Sequence, residues 1–341
     1  MGAVDATRTD VLWLDWNESP LGPPPAAVRR VAAAARRLHE YPRHLLDEVT
    51  ELAAARHGVA PSQVLLTSGV DEALDIAMTL VERGWAVEPG FDFHARVVAW
   101  GKPFLPIRLG PDWQPAGRDD IRATDAVFIA QPGNPTGNLI ERDWIDEYRA
   151  SAGIYFQDET YQEFCSAPSI LGEELGPDVL VYRSFAKAWG LAGIRVGCLV
   201  GEAGLIARLE PLRRFMPIDA VSLSAAAGVL AEPDFVDALT AHVLRERPRL
   251  AALLRASGLF LDVRDTETNF VIARVERGRA AALVAALERL GVRVKPCDFF
   301  GLDDWIRVGV GTAEDHARLG EVLARLRPEF APRAEAAAGP A

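Results

Sequence analysis

A chain of 341 residues with 49% apolar and 25% charged residues can bury a large core, either as two domains or as one α/β body with an appendage. A net charge of −11 argues against phosphate-backbone binding, so no nucleic-acid partner is expected. Three cysteines far apart in sequence (Cys165, Cys198 and Cys297), no apolar signal region and no apolar run of about eighteen residues point to a cytoplasmic protein with no disulfide framework, metal site or membrane span.

The proline-led, Ala/Arg-rich stretch 23–40 reads as a helix, and a second helix at 45–57 stops at Gly58. An apolar strand at 64–67 leads through Ser68-Gly69 into a helical pattern at 71–82. Further strands are expected at 125–130, 153–157, 179–183 and 195–200, with a helix at 142–150. Strands that are near-continuous apolar runs alternating with helices indicate a buried, mostly parallel sheet. Helical patterns follow at 205–215, 221–230 and 235–256. Beyond Gly258 the order becomes strands at 259–263 and 270–275, a helix at 279–290, strands at 292–295 and 305–310, and a closing helix at 313–326. That last part reads as a smaller C-terminal domain. The Ala/Pro/Glu-rich end, 331–341, is expected to be disordered.

Lysine is scarce: Lys102, Lys187 and Lys295 stand against thirty-four arginines. Arginine stays charged at every working pH, whereas a lysine amine can lose its proton and attack a carbonyl. Codon bias alone would also leave a few lysines, so the neighbours decide. Lys187 sits in Ser184-Phe185-Ala186-Lys187-Ala188-Trp189-Gly190, directly after an expected strand. Open α/β sheets place ligands at such strand ends. Three other segments share that position. Ser68-Gly69-Val70-Asp71 opens a helix and would suit a phosphate, although many strand-to-helix turns look alike. Gln131-Pro132-Gly133-Asn134-Pro135-Thr136-Gly137 carries more backbone constraint than a plain loop needs, and it fixes Asn134. Asp158, ending a buried strand three residues before Tyr161, is either a helix-capping residue or a carboxylate needing a cationic partner such as a pyridinium nitrogen.

With Leu14-Asp15-Trp16-Asn17-Glu18 near the start and Ile306-Arg307-Val308-Gly309 near the end, these segments resemble the fold-type-I pyridoxal-phosphate enzymes of the class I/II aminotransferases. The nearest branch is similar to the histidinol-phosphate aminotransferases. The resemblance implies an α/β fold with a mostly parallel seven-stranded sheet between helices and a smaller α+β C-terminal domain. It divides the chain into an N-terminal segment, 1–40, packing on the small domain; a large cofactor-binding domain, 41–240; the small domain, 241–330; and the tail. It implies pyridoxal 5'-phosphate as cofactor and transfer of an amino group between an L-amino acid, or an amino-alcohol phosphate, and a 2-oxo acid. Lys187 would hold the cofactor as a Schiff base and shuttle the proton. Asp158 would pair with the ring nitrogen, Asn134 and Tyr161 would bond the phenolic oxygen, and His94 would occupy the ring-stacking position. Ser184, Arg195 and the turn at Gly69, Val70 and Asp71 would bind the phosphate. Tyr41 would reach the phosphate of a neighbouring subunit, implying a homodimer with shared sites. Arg307 would clamp the substrate carboxylate, Asn17 would close over the substrate, and Lys295 would stand where relatives carry a phosphate-binding arginine.

Several positions depart from the family pattern: His94 where a tyrosine is usual, Asp219 where asparagine is common, Arg43-His44 after Tyr41-Pro42 where an acidic residue is usual, lysine at 295, and few residues before Leu14. They keep open a same-fold enzyme that decarboxylates, oxidises or cyclises an amino acid. A non-catalytic regulator module would need a DNA-binding domain ahead of Leu14, and none is expected.

Overall fold

The computed structural model describes residues 11–117 and 120–332. The residues before 11 and from 333 onward, where the tail was expected, lie outside the described residues.

Seven strands form the main sheet in the order Val64–Thr67, Gly197–Gly201, Val179–Ser184, Ile154–Asp158, Asp125–Ala130, Arg83–Glu88, Phe104–Arg108. Gly197–Gly201 runs antiparallel to both neighbours, and the remaining pairs are parallel. The apolar runs serve both faces by strict alternation. Ala126, Phe128, Ile154, Phe156, Leu180 and Tyr182 pack in one core, against the helices Gly69–Met78 and Ala203–Leu209. Val127, Ile129, Tyr155, Val179 and Val181 pack in another, against Ile145 and Tyr148 of the helix Arg142–Ser151. This two-sided burial explains why the strands read as continuous apolar runs.

Two strands of this sheet and a helix beside it were not expected: Arg83–Glu88, Phe104–Arg108 and Phe93–Ala99. Gly84 breaks the first apolar run, and a Cβ there would meet Val97 Cγ2 at 2.6 Å, so the glycine lets the helix approach the sheet. Pro106 breaks the second, which is tolerated because Phe104–Arg108 is an edge strand. The expected helix at 71–82 starts at Gly69 and ends at Met78. Lys102 has a structural use there: its Nζ donates to the Met78 carbonyl at 2.6 Å and to that of Val81, capping the helix end.

A second, four-stranded antiparallel sheet has the order Lys295–Pro296, Trp305–Gly309, Phe270–Arg274, Asp262–Arg264. The single strand expected at 292–295 is split. Val292–Arg293 pairs in parallel with Leu12–Trp13, while Lys295–Pro296 pairs with Trp305–Gly309. Leu14 continues this attachment, donating to the Arg293 carbonyl and accepting from Gly309 N. The helix Pro25–Ala34, by contrast, packs on Ala220–Ala231, with the Ala26 carbonyl oxygen 2.8 Å from where a Cβ on Gly228 would fall and Arg29 paired to Glu232. The N-terminal segment therefore touches both parts of the chain, and residues 15–18 are carried between them.

Candidate active site

A cavity of about 910 Å³ opens where the strands ending at Ala130, Asp158 and Ser184 face the smaller sheet. Its walls bring together Asn17, Val70, Asp71, Asn134, Asp158, Tyr161, Ser184, Lys187, Arg195, Lys295 and Arg307. Arg307 and Lys295 are directly opposed across antiparallel strands, which puts both side chains on one face.

The Lys187 amine donates to the Trp16 carbonyl at 2.8 Å. Burial, and then the nearby Arg307 charge, push it down to about 7, so a substantial fraction is neutral near physiological pH. Asp158 is not a helix cap. Its Oδ1 accepts from Thr160 N at 2.9 Å and Thr160 Oγ1 at 2.5 Å. Burial nevertheless raises its carboxyl to about 6, and among the described residues no cation pairs with it. A cation delivered to this carboxylate would offset its desolvation.

The strand ends carrying these two residues are tied by a buried ion-pair network. Arg183 donates to Glu159 at 2.8 Å and to Glu163 at 2.5 Å, and Trp189 Nε1 donates to the same Glu163 oxygen at 3.1 Å. Arg183 and Trp189 flank Lys187 in sequence, while Glu159 follows Asp158. The network thereby fixes the amine relative to the carboxylate.

On the opposite wall, Asn17 Nδ2 donates to the Tyr161 hydroxyl at 3.1 Å, and the Tyr161 ring stands edge-on to Phe270. Arg307 Nη1 donates to Asn134 Oδ1 at 2.5 Å and Nη2 to the Asp15 carbonyl at 2.8 Å, so it links the two sheets. Its guanidinium lies over Phe270 and Phe300. Asn17 Oδ1 and Arg307 Nε are buried without a hydrogen-bond partner. Such orphaned polar atoms at a cavity wall are costly unless a ligand satisfies them.

The third wall is the start of the helix Gly69–Met78, with Val70 and Asp71 in its first turn. Arg195 Nη2 lies 3.6 Å from Asp71 Oδ2, and the Ser184 hydroxyl accepts from Ala186 N. A helix N-terminus beside a guanidinium and a hydroxyl suits a phosphate. Gly69 has φ +78°, and a Cβ there would come 2.8 Å from Arg195 Nη2. Gly69→Ala is expected to weaken phosphate-bearing cofactor binding roughly tenfold and to lower stability by about 1 kcal/mol. Equilibrium dialysis and thermal melts check both.

Residues 9–326 match the family described as aminotransferase class I and II. The chain belongs to the class I and II aminotransferases. Among curated relatives, the histidinol-phosphate aminotransferase of Methanothermobacter thermautotrophicus is 31% identical, covering 95% of this chain and 91% of its own. That of Haloarcula marismortui is 32% identical over 92% of this chain and 89% of its own. Among solved structures, the histidinol-phosphate aminotransferase of Clostridium acetobutylicum aligns with a TM-score of 0.84 at 19% identity, covering 93% of this chain and 99% of that one. The Sinorhizobium meliloti enzyme, solved with pyridoxal-5'-phosphate, gives 0.80 at 22%, covering 95% and 93%. The L-threonine-O-3-phosphate decarboxylase of Porphyromonas gingivalis gives 0.82 at 19%, covering 94% and 100%, so that activity shares the same fold.

Pyridoxal 5'-phosphate is the cofactor of this family, and the residues of this aminotransferase fit it: an amine of lowered pKa, a buried carboxylate lacking a cation, and an anion site at a helix start. Tyr41 is not at the cavity of its own chain. It is 73% exposed and lines a second cavity of about 420 Å³ with Arg43 and His44, so those two residues do not converge with Lys295 within one chain. The His94 side chain lies outside the described residues. Asp219 has a local task, capping the helix Ala220–Ala231 by accepting from Val221 N, Ser222 N and Ser222 Oγ.

The cavity of this aminotransferase also holds residues that sequence reasoning missed, among them Trp16, Glu18, Asp92, Arg96, Phe299 and Phe300. Asp92, Ala95, Arg96 and Ala99 recur at helical spacing, a signal visible only once Phe93–Ala99 is read as a helix.

Proposed function

We propose that this chain is an aminotransferase that moves the amino group of an L-amino acid, or an amino-alcohol phosphate, to a 2-oxo acid using pyridoxal 5'-phosphate. The observation that carries the reading is the presence, in one cavity, of the Lys187 amine at about 7 and the buried carboxylate of Asp158, which no described cation pairs. When bound, the cofactor supplies an electron-withdrawing ring that stabilises negative charge at the substrate α-carbon. Lys187 would hold the cofactor through its aldehyde carbon and, freed as a neutral amine when the substrate's amino group takes its place there, would take and return the α-carbon proton. Asp158 would keep a proton on the ring nitrogen, and Asn134 and Tyr161 would hold the phenolic oxygen. Ser184, Arg195 and the amides of Val70 and Asp71 hold the phosphate. Arg307 turns its two terminal nitrogens from Asn134 and the Asp15 carbonyl to the substrate carboxylate, a bidentate contact that orients the bond to be broken. Asn17, already on the Tyr161 hydroxyl, excludes water from that side.

The exposed Tyr41 supports a homodimer in which this residue completes the partner's phosphate site. The unpaired cysteines are compatible with a cytoplasmic setting. The division into a segment at 1–40, a large domain at 41–240 and a small domain at 241–330 is part of the same proposal.

The test uses holoenzyme, an ¹⁵N-labelled L-amino acid and 2-oxoglutarate. Appearance of label in glutamate with release of the donor's 2-oxo acid is expected. Evolved carbon dioxide or consumed oxygen without labelled glutamate would assign a decarboxylase or oxidase instead.

A further inference from the structure

Where the strand Ile154–Asp158 leaves the sheet, two donors from one residue converge on a single carboxylate oxygen. The Asp158 carbonyl accepts from Gln131 N at 2.9 Å, and Glu159 N donates to the Tyr182 carbonyl at 3.0 Å, so neighbouring strands hold both residues. Thr160 supplies the next amide, and its N–H donates to Asp158 Oδ1 at 2.9 Å. Any residue but proline could make that bond. The Thr160 hydroxyl adds a second bond to the same oxygen at 2.5 Å, and that contact needs a side-chain donor. Thr160 also lines the cavity. Its branched Cβ restricts the side-chain rotamer, which keeps the hydroxyl on its acceptor.

We infer that Thr160 is a positioning residue for the proposed reaction: its hydroxyl occupies Oδ1, keeps the Asp158 carboxylate ionised and leaves Oδ2 for the ring nitrogen of the cofactor. This deepens the proposed function and rests on it for the role of Asp158. A donor bonds an ionised carboxylate more strongly than a protonated one. Burial raises the Asp158 carboxyl to about 6, while the side-chain and backbone bonds from Thr160 oppose that rise. Among the surrounding charges Glu159 raises it and Arg183 lowers it, and Lys187, Tyr161 and Tyr182 also interact with its charge. Glu159 and Arg183 pair with each other at 2.8 Å, so their opposed effects largely offset. The Thr160 hydroxyl is then the contact that limits the proton affinity of Asp158. The weaker that affinity, the more firmly a shared proton stays on the ring nitrogen.

The experiment compares Thr160→Val, which keeps the branched shape without the hydroxyl, with Thr160→Ser, which keeps the hydroxyl. Each cofactor-free protein is melted across a pH series with and without Asp158→Asn, so that any general loss of stability cancels. A carboxyl whose folded-state value is raised loses its stabilising advantage as the pH climbs through that value. The melting difference between each protein and its Asp158→Asn counterpart should therefore stop growing near pH 6 in wild type and Thr160→Ser. In Thr160→Val that point should lie about one pH unit higher. In holoenzyme carrying ¹⁵N in the cofactor ring, the nitrogen resonance should move toward the unprotonated position in Thr160→Val and in Asp158→Asn, and not in Thr160→Ser. Turnover of Thr160→Val should fall about tenfold with little change in KM. An unmoved point in cofactor-free Thr160→Val, or a ring nitrogen that responds to Asp158→Asn and not to Thr160→Val, overturns the proposal and leaves the role of Asp158 untouched. A ring nitrogen that ignores Asp158→Asn as well removes Asp158 from the functional reading, and the assignment of Thr160 falls with it.

Discussion

Lys187→Ala protein is expected to bind pyridoxal 5'-phosphate without the visible absorbance of a covalently held cofactor, and to lose amino transfer by at least about a thousandfold. Lys187→Arg should be equally inactive. It preserves a cation, but a guanidinium stays protonated at any working pH and cannot serve as nucleophile or base. Burial and the Arg307 charge push the wild-type amine down to about 7, and this makes the residue useful. Non-covalent binding should survive in both variants, because the phosphate site proposed at Val70, Asp71, Ser184 and Arg195 does not involve Lys187. Equilibrium dialysis reads the binding and a visible spectrum reads the covalent link. An unchanged spectrum in Lys187→Ala would transfer the role to another amine.

Asp158→Asn is expected to have opposite effects on catalysis and stability. Burial raises the Asp158 carboxyl to about 6 from its ordinary 3.8. A raised folded-state value means that the carboxyl favours folding while protonated, below about pH 4, and that this advantage is lost as the pH climbs through about 6. Near pH 8 the cofactor-free protein therefore carries a cost of about 3 kcal/mol for an ionised, unpaired carboxylate. Asparagine removes the charge and retains an oxygen to accept from Thr160. Cofactor-free Asp158→Asn should accordingly melt higher than wild type at pH 8, with the difference shrinking toward pH 4. With cofactor bound the order should reverse, because wild type then pairs the carboxylate with the protonated ring nitrogen. Turnover should fall by about 100- to 1000-fold, the scale of losing an electrostatic stabiliser aimed at the reacting charge. A cofactor-free variant less stable than wild type at pH 8, or near-normal turnover, would contradict this role.

Much of the site was legible because its residues lie at strand ends within short segments, where local sequence carries the information. Asp158-Glu159-Thr160-Tyr161 and Ser184-Phe185-Ala186-Lys187 follow apolar runs that announce their strands. Lys102 and Lys187 look alike by scarcity, and only the three-dimensional surroundings separate a helix-capping amine from one facing a cavity. Arg83–Glu88 and Phe104–Arg108 were hidden because Gly84 and Pro106 answer to packing and edge position, which no local propensity encodes. Without them the helix Phe93–Ala99, and so Arg96 at the cavity, could not be placed. The apposition of Lys295 with Arg307 depends on strand register across twelve residues of chain, which periodicity does not specify. Tyr41 lines a second cavity and not the one that holds Lys187, and the role proposed for it needs a second chain.

The most direct test is borohydride reduction of the holoenzyme followed by peptide mapping. Reduction makes the lysine–cofactor link permanent, and with only Lys102, Lys187 and Lys295 available the assignment is unambiguous among lysines. The cofactor's mass should appear on the peptide containing Lys187 and on neither of the others. Labelling of Lys102 or Lys295 instead, or no labelling of a protein that retains cofactor absorbance, would contradict the account.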